Sequence, residues 1–263
     1  MNALSSETQL AAFGVIAVVF ALFAVIELVA PVRSASRGTR WITNITLFVI
    51  DTLAVRLLIP LLMIGTAALA AERGWGLLNL FPVPDWAGIV FAVVALDLAL
   101  YIQHWATHRV PLLWRLHKVH HVDPAFDVTT AARFHPIEIG LSMLYKMVVV
   151  VVLGLSVWGV FLFELMFTIA TLFTHANFAL PRGLEKPVRA LLVTPDMHRI
   201  HHSAIESETN SNYGTLLSGW DRLFGTHTAK ASEGQNGLTI GLEGYQDRRP
   251  HGLSWSLLFP FRD

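Results

Sequence analysis

Two copies of one histidine pattern, separated by a long apolar stretch, constrain this chain more than any other feature. The segments LHKVHH and MHRIHH supply the six residues His117, His120, His121, His198, His201 and His202. A helical pair, His104 and His108, precedes the first copy in YIQHWATH. Offsets of three and four residues place side chains on one face of a helix, so each group can converge on a point. Because imidazole is a common neutral ligand for iron, zinc and copper, the pattern predicts a metal site.

Chance does not explain the repeated HxxHH pattern. Histidine accounts for 12 of the 263 residues, and at that frequency the pattern would arise about 0.02 times in this chain. The alternative is a pair of polar helix faces without a metal. Unliganded histidines clustered near lipid would cost free energy and serve no purpose, so we favour the metal site.

Long apolar stretches indicate a membrane protein. The chain is 54% hydrophobic and only 14% charged, against about 25% charged in ordinary soluble domains. The stretches cover residues 10–30, 45–71, 87–103 and 139–174. A helix needs about 20 apolar residues to cross a bilayer. The first stretch has no basic segment before it and no cleavage site after it, so we expect a retained span.

The stretch at 139–174 predicts a hairpin of two spans. As one helix its 36 residues would extend about 54 Å, well beyond a hydrocarbon core of about 30 Å. Gly154 and Gly159 lie near its middle and suit a tight turn. A hairpin also returns the chain to the face that it left, whereas a single span would place the two HxxHH copies on opposite faces. We therefore expect an all-α membrane bundle of four to five transmembrane helices, with five favoured.

The basic residues predict the side of the membrane on which the histidines lie. With five spans and the N-terminus outside, the inside segments are about 31–44, 104–138 and 175–263, and they hold 16 of the 19 Lys and Arg residues and every histidine. This satisfies the positive-inside rule. We expect a single multi-pass membrane domain over 1–263 with a cytoplasmic histidine-rich helical cap, in a bacterial inner membrane rather than an ER membrane.

Some ionisable residues fall within the apolar stretches. Lys146 either snorkels to the surface or faces the protein interior. A charged side chain inside a span costs free energy, and this applies to Asp51, Arg56 and Glu164. Asp51 and Arg56 could pair with polar groups elsewhere in the bundle.

Three further residues are candidates for the metal site. His175 lies where the second hairpin helix leaves the membrane, and we expect a ligand there, with a capping or interfacial role as the alternative. His135, at the start of the hairpin, is a possible ligand or a partner of one. Asp97 shares a helix stripe with the HxxxH pair and is expected either to fix a ligand tautomer or to make an ordinary interhelical hydrogen bond.

Nine candidate ligands exceed what one metal can use, which is four for tetrahedral zinc and six for an octahedral metal. Two metals are therefore favoured. The chain has no cysteine, which excludes thiolate zinc sites and cysteine-ligated iron–sulfur clusters, so iron and zinc are preferred. His227 and His251, in the polar tail, are expected to be unrelated to the metals. The formal net charge of zero gives no basic surface for nucleic acid.

Several segments resemble the motifs of the fatty acid hydroxylase / sterol desaturase superfamily of membrane enzymes. They are HWATH (104–108), HKVHH (117–121), RFHPIE (133–138), HANF (175–178), TPDMHRIHHS (194–203), ETNSNYG (208–214) and WDRLFGTH (220–227). They fall within 90–228, the expected catalytic region. One departure is Trp105, where many members have Arg, and this weakens any subgroup assignment but not the metal site.

The resemblance implies oxygen-dependent hydroxylation or desaturation of a lipid C–H bond at a histidine-rich, non-haem di-iron centre, with zinc possible in a purified form. The ligands it implies are His104, His108, His117, His120, His121, His175, His198, His201 and His202. No dinucleotide fingerprint such as G-x-G-x-x-G occurs, so electrons should come from a separate donor, ferredoxin- or cytochrome-b5-like with its reductase.

Two other functions stay open at this point. A metal-dependent membrane hydrolase or lyase acting on lipids would use metal-bound water and would work without oxygen or reductant. A non-catalytic metal-binding membrane protein would need polar residues that continue through the spans, and the sequence has only isolated ones.

Overall fold

In the computed structural model, which describes residues 4–59 and 61–262, the chain is helical and the described part contains no β-strand. The longer helices are α1 (Ser6–Val29), α2 (Gly38–Leu58), α3 (Met63–Arg73), α4 (Asp85–Arg109), α5 (Pro111–His121), α6 (Pro136–Leu153), α7 (Val157–His175), α8 (Arg182–Leu191) and α9 (Pro195–His201). Shorter α-helices are Glu206–Thr209, Gly219–Leu223, Gly234–Gly237 and Leu253–Leu258. Short 3-10 helices are Leu77–Leu80, Val128–Ala132, Arg249–His251 and Phe259–Phe261.

Five segments of the described chain are long and apolar enough to cross a membrane. They are α1, Gly38–Leu80 (which contains α2 and α3), α4, α6 and α7. Large apolar side chains on these helices are exposed, among them Leu10, Phe13 and Val18 on α1. Such a surface suits contact with lipid rather than water. The predicted all-α bundle and its five candidate spans are confirmed.

The second apolar stretch, 45–71, is divided between two helices. Helix α2 begins earlier, at Gly38, and ends at Leu58, and a separate helix α3 starts at Met63. The interruption falls where the sequence has Pro60. Proline lacks a backbone N–H and clashes with the preceding helical turn, which accounts for the break.

The stretch at 139–174 folds as the predicted hairpin. Gly154 ends α6 with φ +67°, and its N–H bonds to the carbonyl oxygens at the end of that helix. Ser156 then caps α7, because its side chain accepts a hydrogen bond from Gly159 N at 3.1 Å. A second glycine, Gly76, packs against this turn, and a Cβ there would lie 2.2 Å from Gly154 N. The turn therefore closes the end of the bundle away from the histidines.

Replacing Gly154 by valine is expected to destabilise the bundle by about 1–3 kcal/mol, the usual cost of backbone strain. A side chain at φ +67° is strained, and its Cβ would lie 2.8 Å from Asn79 Nδ2 and 2.9 Å from Trp75 O. Thermal unfolding in detergent measures the effect. Gly14→Ala is the matched control, because a Cβ at Gly14 meets nothing within 4 Å. Equal unfolding midpoints for Gly154→Val and the parent would contradict the tight turn.

At the other end of the bundle, buried ionic groups join the spans to the segments 110–135 and 176–262, which together form a helical cap. Near the end of α1, the Glu27 carboxylate accepts hydrogen bonds from Val128 N and Asn177 N, both at 2.7 Å. Near the start of α2, Arg40 donates to Asp123 at 2.7 Å. Groups buried in this way must be paired to be tolerated, so these contacts fix the cap on the bundle.

Arg133 ties the C-terminal segment into the same cap. Its guanidinium is fully buried. It donates to Val119 O at 2.8 Å, Asn44 Oδ1 at 2.8 Å, Pro250 O at 2.9 Å and Ser256 Oγ at 2.9 Å. One side chain thus connects α2, α5 and the last 20 or so residues, and it holds the cap around the histidine helices.

Candidate metal centre

All nine histidines implied as ligands come together at the capped end, in two groups. The five-histidine group is His104, His108, His117, His121 and His201, and the four-histidine group is His120, His175, His198 and His202. Within each group, one ring nitrogen from every member lies within 4.8 Å of those of the others. Three of the twelve histidines, His135, His227 and His251, lie outside both groups.

Helices α5 and α9 share their histidines between the two groups in opposite ways. Helix α5 gives its i,i+4 pair, His117 and His121, to the five-histidine group and His120 to the other. Helix α9 and its C-cap residue give the i,i+4 pair His198 and His202 to the four-histidine group, and α9 gives His201 to the five-histidine group. Adjacent residues on a helix point about 100° apart, so each HxxHH motif can serve two neighbouring sites.

Hydrogen bonds fix the ring orientation of five of these histidines. In each case Nδ1 donates to an oxygen that can only accept: His104 to Tyr213 O (2.8 Å), His117 to Glu138 Oε1 (2.6 Å), His120 to Arg133 O (3.1 Å), His175 to Thr171 O (2.8 Å) and His201 to Ser211 O (2.7 Å). Because Nδ1 carries the proton, Nε2 is left with its lone pair. These rings present Nε2 to the centre of their group, as metal-binding histidines do.

The donor set fits a metal on its own geometry. His175 Nε2 lies 3.2 Å from His120 Nε2 and 3.0 Å from His198 Nε2. Since His120 and His175 both carry the proton on Nδ1, their facing Nε2 atoms are both acceptors, and the contact is repulsive without a cation. Nitrogens bound at about 2.0–2.1 Å to one metal lie roughly 2.9–3.4 Å apart, which matches these distances.

The five-histidine group also fits a bound metal ion. In the described part of the chain, its Nε2 atoms are buried and make no hydrogen bond. Both ring nitrogens of His121 are in this state. A buried polar atom without a partner costs about 1–3 kcal/mol, so several of them in one place fit a shared ligand such as a metal ion.

Burial holds the cap histidines in the neutral form that binds metals. Desolvation, and then the neighbouring imidazoles, lower the pKa of His120, His121, His198 and His202 well below the ordinary value. Desolvation also lowers the pKa of His201 to about 3. Neutral imidazole offers the lone pair that a metal needs.

These pKa directions predict acid instability. The unfolded histidines have a pKa of about 6.5, so the neutral cluster keeps its stability above that pH and loses it as pH falls towards the lower folded values. Each histidine contributes up to about 1.4 kcal/mol per pH unit in that window. We expect the thermal midpoint of metal-free protein to drop between pH 7 and pH 5, and metal to be released over the same range. An unchanged midpoint would contradict a buried neutral cluster.

Glu138 is a site residue to which sequence reasoning assigned no role. It lies in RFHPIE, on the first turn of α6, and its Oε1 is 2.6 Å from His117 Nδ1. A carboxylate in this position fixes the ring of a ligand histidine and raises its basicity. The available signal was an acidic residue just inside the start of a span, on the side of the membrane that carries the histidines.

Glu138→Ala is expected to weaken metal retention about 10- to 100-fold, the usual effect of removing the partner of a ligand histidine. Glu138→Gln keeps an acceptor for His117 Nδ1 and should lose less. Competition with a chelator measures retention. Glu206→Ala, at an exposed acidic position in the cap, is the control. Retention in Glu138→Ala equal to that of the control would remove Glu138 from the site.

Among the described residues, Asp97 makes no hydrogen bond to an imidazole, in contrast to one of the two roles expected for it. Its carboxylate accepts hydrogen bonds from Leu216 N (3.3 Å), Leu217 N (3.1 Å) and Trp220 Nε1 (2.8 Å). It therefore holds the loop that follows Tyr213, whose carbonyl oxygen orients a histidine of the five-histidine group. The loop lies far along the sequence, so the helix stripe alone did not indicate it.

His135 has a structural role in place of the possible ligand role. Its Nδ1 accepts from Ile137 N at 3.2 Å and caps α6, and its Nε2 donates to Leu257 O at 3.2 Å. Both ring nitrogens are used, and no lone pair is left for a metal. The neighbouring Phe134 stacks on His120, with ring centroids 4.3 Å apart.

Comparisons with known proteins cover the same part of the chain. A family model described as fatty acid hydroxylase matches residues 89–226, just over half of the chain. Ornithine lipid hydroxylase OlsE of Rhizobium tropici is 31% identical over 138 residues, which are 52% of this chain and 41% of that protein. Alkylglycerol monooxygenase of Homo sapiens is 29% identical over 149 residues, which are 56% of this chain and 32% of that protein. The matches thus span less than half the length of these curated relatives. No solved structure matches the chain.

Proposed function

The chain belongs to the fatty acid hydroxylase family, and on that premise we propose that it is a membrane-bound oxygenase that hydroxylates or desaturates a lipid C–H bond with O2 and external electrons. The proposal rests on two buried histidine groups, one of five residues and one of four, at one end of a membrane bundle. Two adjacent sites built only from imidazoles suit redox metals better than a closed structural zinc site does. Residues 90–228 are proposed as the catalytic region.

We propose that each group binds one iron ion, with zinc as a possible substitute in purified protein. The bound irons would supply the oxygen-activating redox chemistry, and the protein supplies their position and surroundings. The nine histidines hold the metals, and Glu138 and the backbone carbonyl of Arg133 keep two of the rings in place.

Aromatic side chains surround the four-histidine group and keep water away from it. The Phe126 ring centroid lies 5.5 Å from that of His175 and 5.1 Å from that of His202. Phe134 covers His120. A dry site protects reactive chemistry from competing reactions with water, and an apolar wall also suits a lipid chain.

The position of the site in the bundle supports a substrate that arrives from the bilayer. The HxxxH pair lies in the last two turns of α4, and His175 is the last residue of α7. The metals would therefore lie where the spans leave the membrane. The distribution of basic residues supports a cytoplasmic location for this end, where a ferredoxin- or cytochrome-b5-like donor and its reductase would deliver electrons. A bacterial inner membrane is the proposed location.

Labelled oxygen tests the reaction. Cells with and without the protein are grown under ¹⁸O2, and their lipids are compared by mass spectrometry, with a His201→Ala strain as control. We expect one lipid class to gain a single ¹⁸O atom, since both named relatives are oxygen-inserting enzymes by name. A lipid that loses two hydrogen atoms and gains no ¹⁸O would indicate desaturation. A product formed without oxygen would overturn the proposal and favour a hydrolase or lyase.

A further inference from the structure

A second polar site lies inside the membrane-spanning part of the bundle. A cavity of about 540 Å³ lies between α1, α3 and α7, and the ionisable side chains Arg56, Lys146 and Glu164 line it. Glu164 and His175 are eleven positions apart on α7, which is about 16 Å along the helix axis. The cavity is therefore distinct from both histidine groups.

The packing of the bundle does not neutralise these charges by direct contact. Among the described residues, no ion pair within 4.0 Å joins Lys146 or Arg56 to Glu164. The Lys146 ammonium lies over the Phe167 ring instead, 5.6 Å from its centroid. Charged groups at membrane depth are expensive and mark binding sites when they face a cavity together.

The lining of the cavity suits an amphipathic ligand. Its apolar wall includes Phe13, Ile16 and Phe161, and two cationic side chains face one carboxylate across it. The excess positive charge favours an anion, and both Lys and Arg bind phosphate well. A volume of 540 Å³ is in the range of small-molecule sites, which is about 300–1,000 Å³, and would hold a lipid head with the first carbons of its chains.

We propose that this cavity binds the phosphate-bearing head of a membrane phospholipid. Arg56 and Lys146 hold the phosphate, and Glu164 accepts a hydrogen bond from an amine or hydroxyl of the head. Arg56 lies in the last turn of α2, and the cavity-lining Gln9 lies near the start of α1. Both positions are at the end of the bundle away from the cap, so the lipid comes from the leaflet opposite the histidines. The proposal is independent of the reaction at the metals.

Lipid binding to the purified full chain in detergent tests this site, by native mass spectrometry and by the shift in thermal midpoint. Phosphatidylethanolamine should be retained and should raise the midpoint. Diacylglycerol with the same chains lacks the phosphate, and glycerol 3-phosphate lacks the chains. Neither compound should be retained or raise the thermal midpoint. Phosphatidylcholine, whose head has no donor, should bind less tightly than phosphatidylethanolamine, and Glu164→Leu, which leaves no acceptor at this position, should remove that difference.

Lys146→Gln and Arg56→Gln should each weaken phosphatidylethanolamine binding more than about tenfold, since each removes one partner of a charge pair. Ala12→Phe fills the cavity and leaves the charges in place, and it should abolish binding. Lys230→Gln, at an exposed position in the cap, is the matched control and should bind like the parent. Metal content serves as a check of folding for every variant. Parent-like binding by correctly folded Lys146→Gln and Ala12→Phe, or equal binding of diacylglycerol, would overturn the proposal.

Discussion

His201→Ala is expected to reduce lipid oxidation at least about a hundredfold while the protein still inserts in the membrane, since even loss of a ligand's partner costs 10- to 100-fold. His201 is fully buried and is the one residue that α9 gives to the five-histidine group. Its ring centroid lies 4.6 Å from those of both His104 and His121. Alanine removes the ring nitrogen that His201 contributes to this group.

Product formation in membranes, divided by the amount of inserted protein, measures this effect. His251→Ala is the matched control, because His251 is a cap histidine outside both groups. The control should keep full activity. Full activity in His201→Ala would remove the five-histidine group from the proposed chemistry.

His175→Ala is expected to reduce activity as strongly, although His175 lies outside the HxxHH motifs. Its Nε2 is 3.2 Å from that of His120 and 3.0 Å from that of His198, so it is central to the four-histidine group. Its loss leaves three imidazoles there and leaves the five-histidine group complete. We therefore expect bound metal to fall by about one ion per chain.

The readouts for His175→Ala are metal content by elemental analysis and activity in the same preparation. His227→Ala is the control, because His227 lies outside both groups and bonds to Asn212 Oδ1. Unchanged metal content together with unchanged activity in His175→Ala would show that His175 is an interfacial residue and not a ligand.

Metal binding and folding of the cap are coupled by the way the motifs share their histidines. Each group draws on both α5 and α9, so neither site is complete until the two helices have docked. The helices belong to segments on opposite sides of the α6–α7 hairpin. Binding free energy for a site assembled in this way contributes directly to folding. Removal of the metals should therefore loosen the cap before it affects the spans.

Much of the fold can be predicted from the sequence, because only a few sequence properties determine where a membrane span forms. Length and apolar character predict the spans, and the need to bring the HxxHH motifs to one face predicts the α6–α7 hairpin. The break between α2 and α3 falls where Pro60 interrupts the second apolar stretch, although a proline within a span can also be accommodated by neighbouring helices. The contact of Gly76 with the hairpin turn depends on tertiary packing and has no local signal.

Within the site, the sequence indicated which histidines converge but not how they divide between two groups. The division of His120 from His121 depends on how α5 is rotated against its neighbours, which periodicity alone does not determine. Glu138 and the backbone carbonyls that orient the rings come from distant segments. His135 lies outside the repeated histidine spacings, so the sequence left a ligand role and a structural role open, and its two hydrogen bonds identify it as a helix cap.

The number of metal ions in purified, active protein most directly tests whether the two histidine groups hold two metals. Elemental analysis of full-length protein that retains lipid-oxidising activity should give about two ions per chain, with iron as the metal that correlates with activity. About one ion per chain, or none, in fully active protein would contradict the two-metal site.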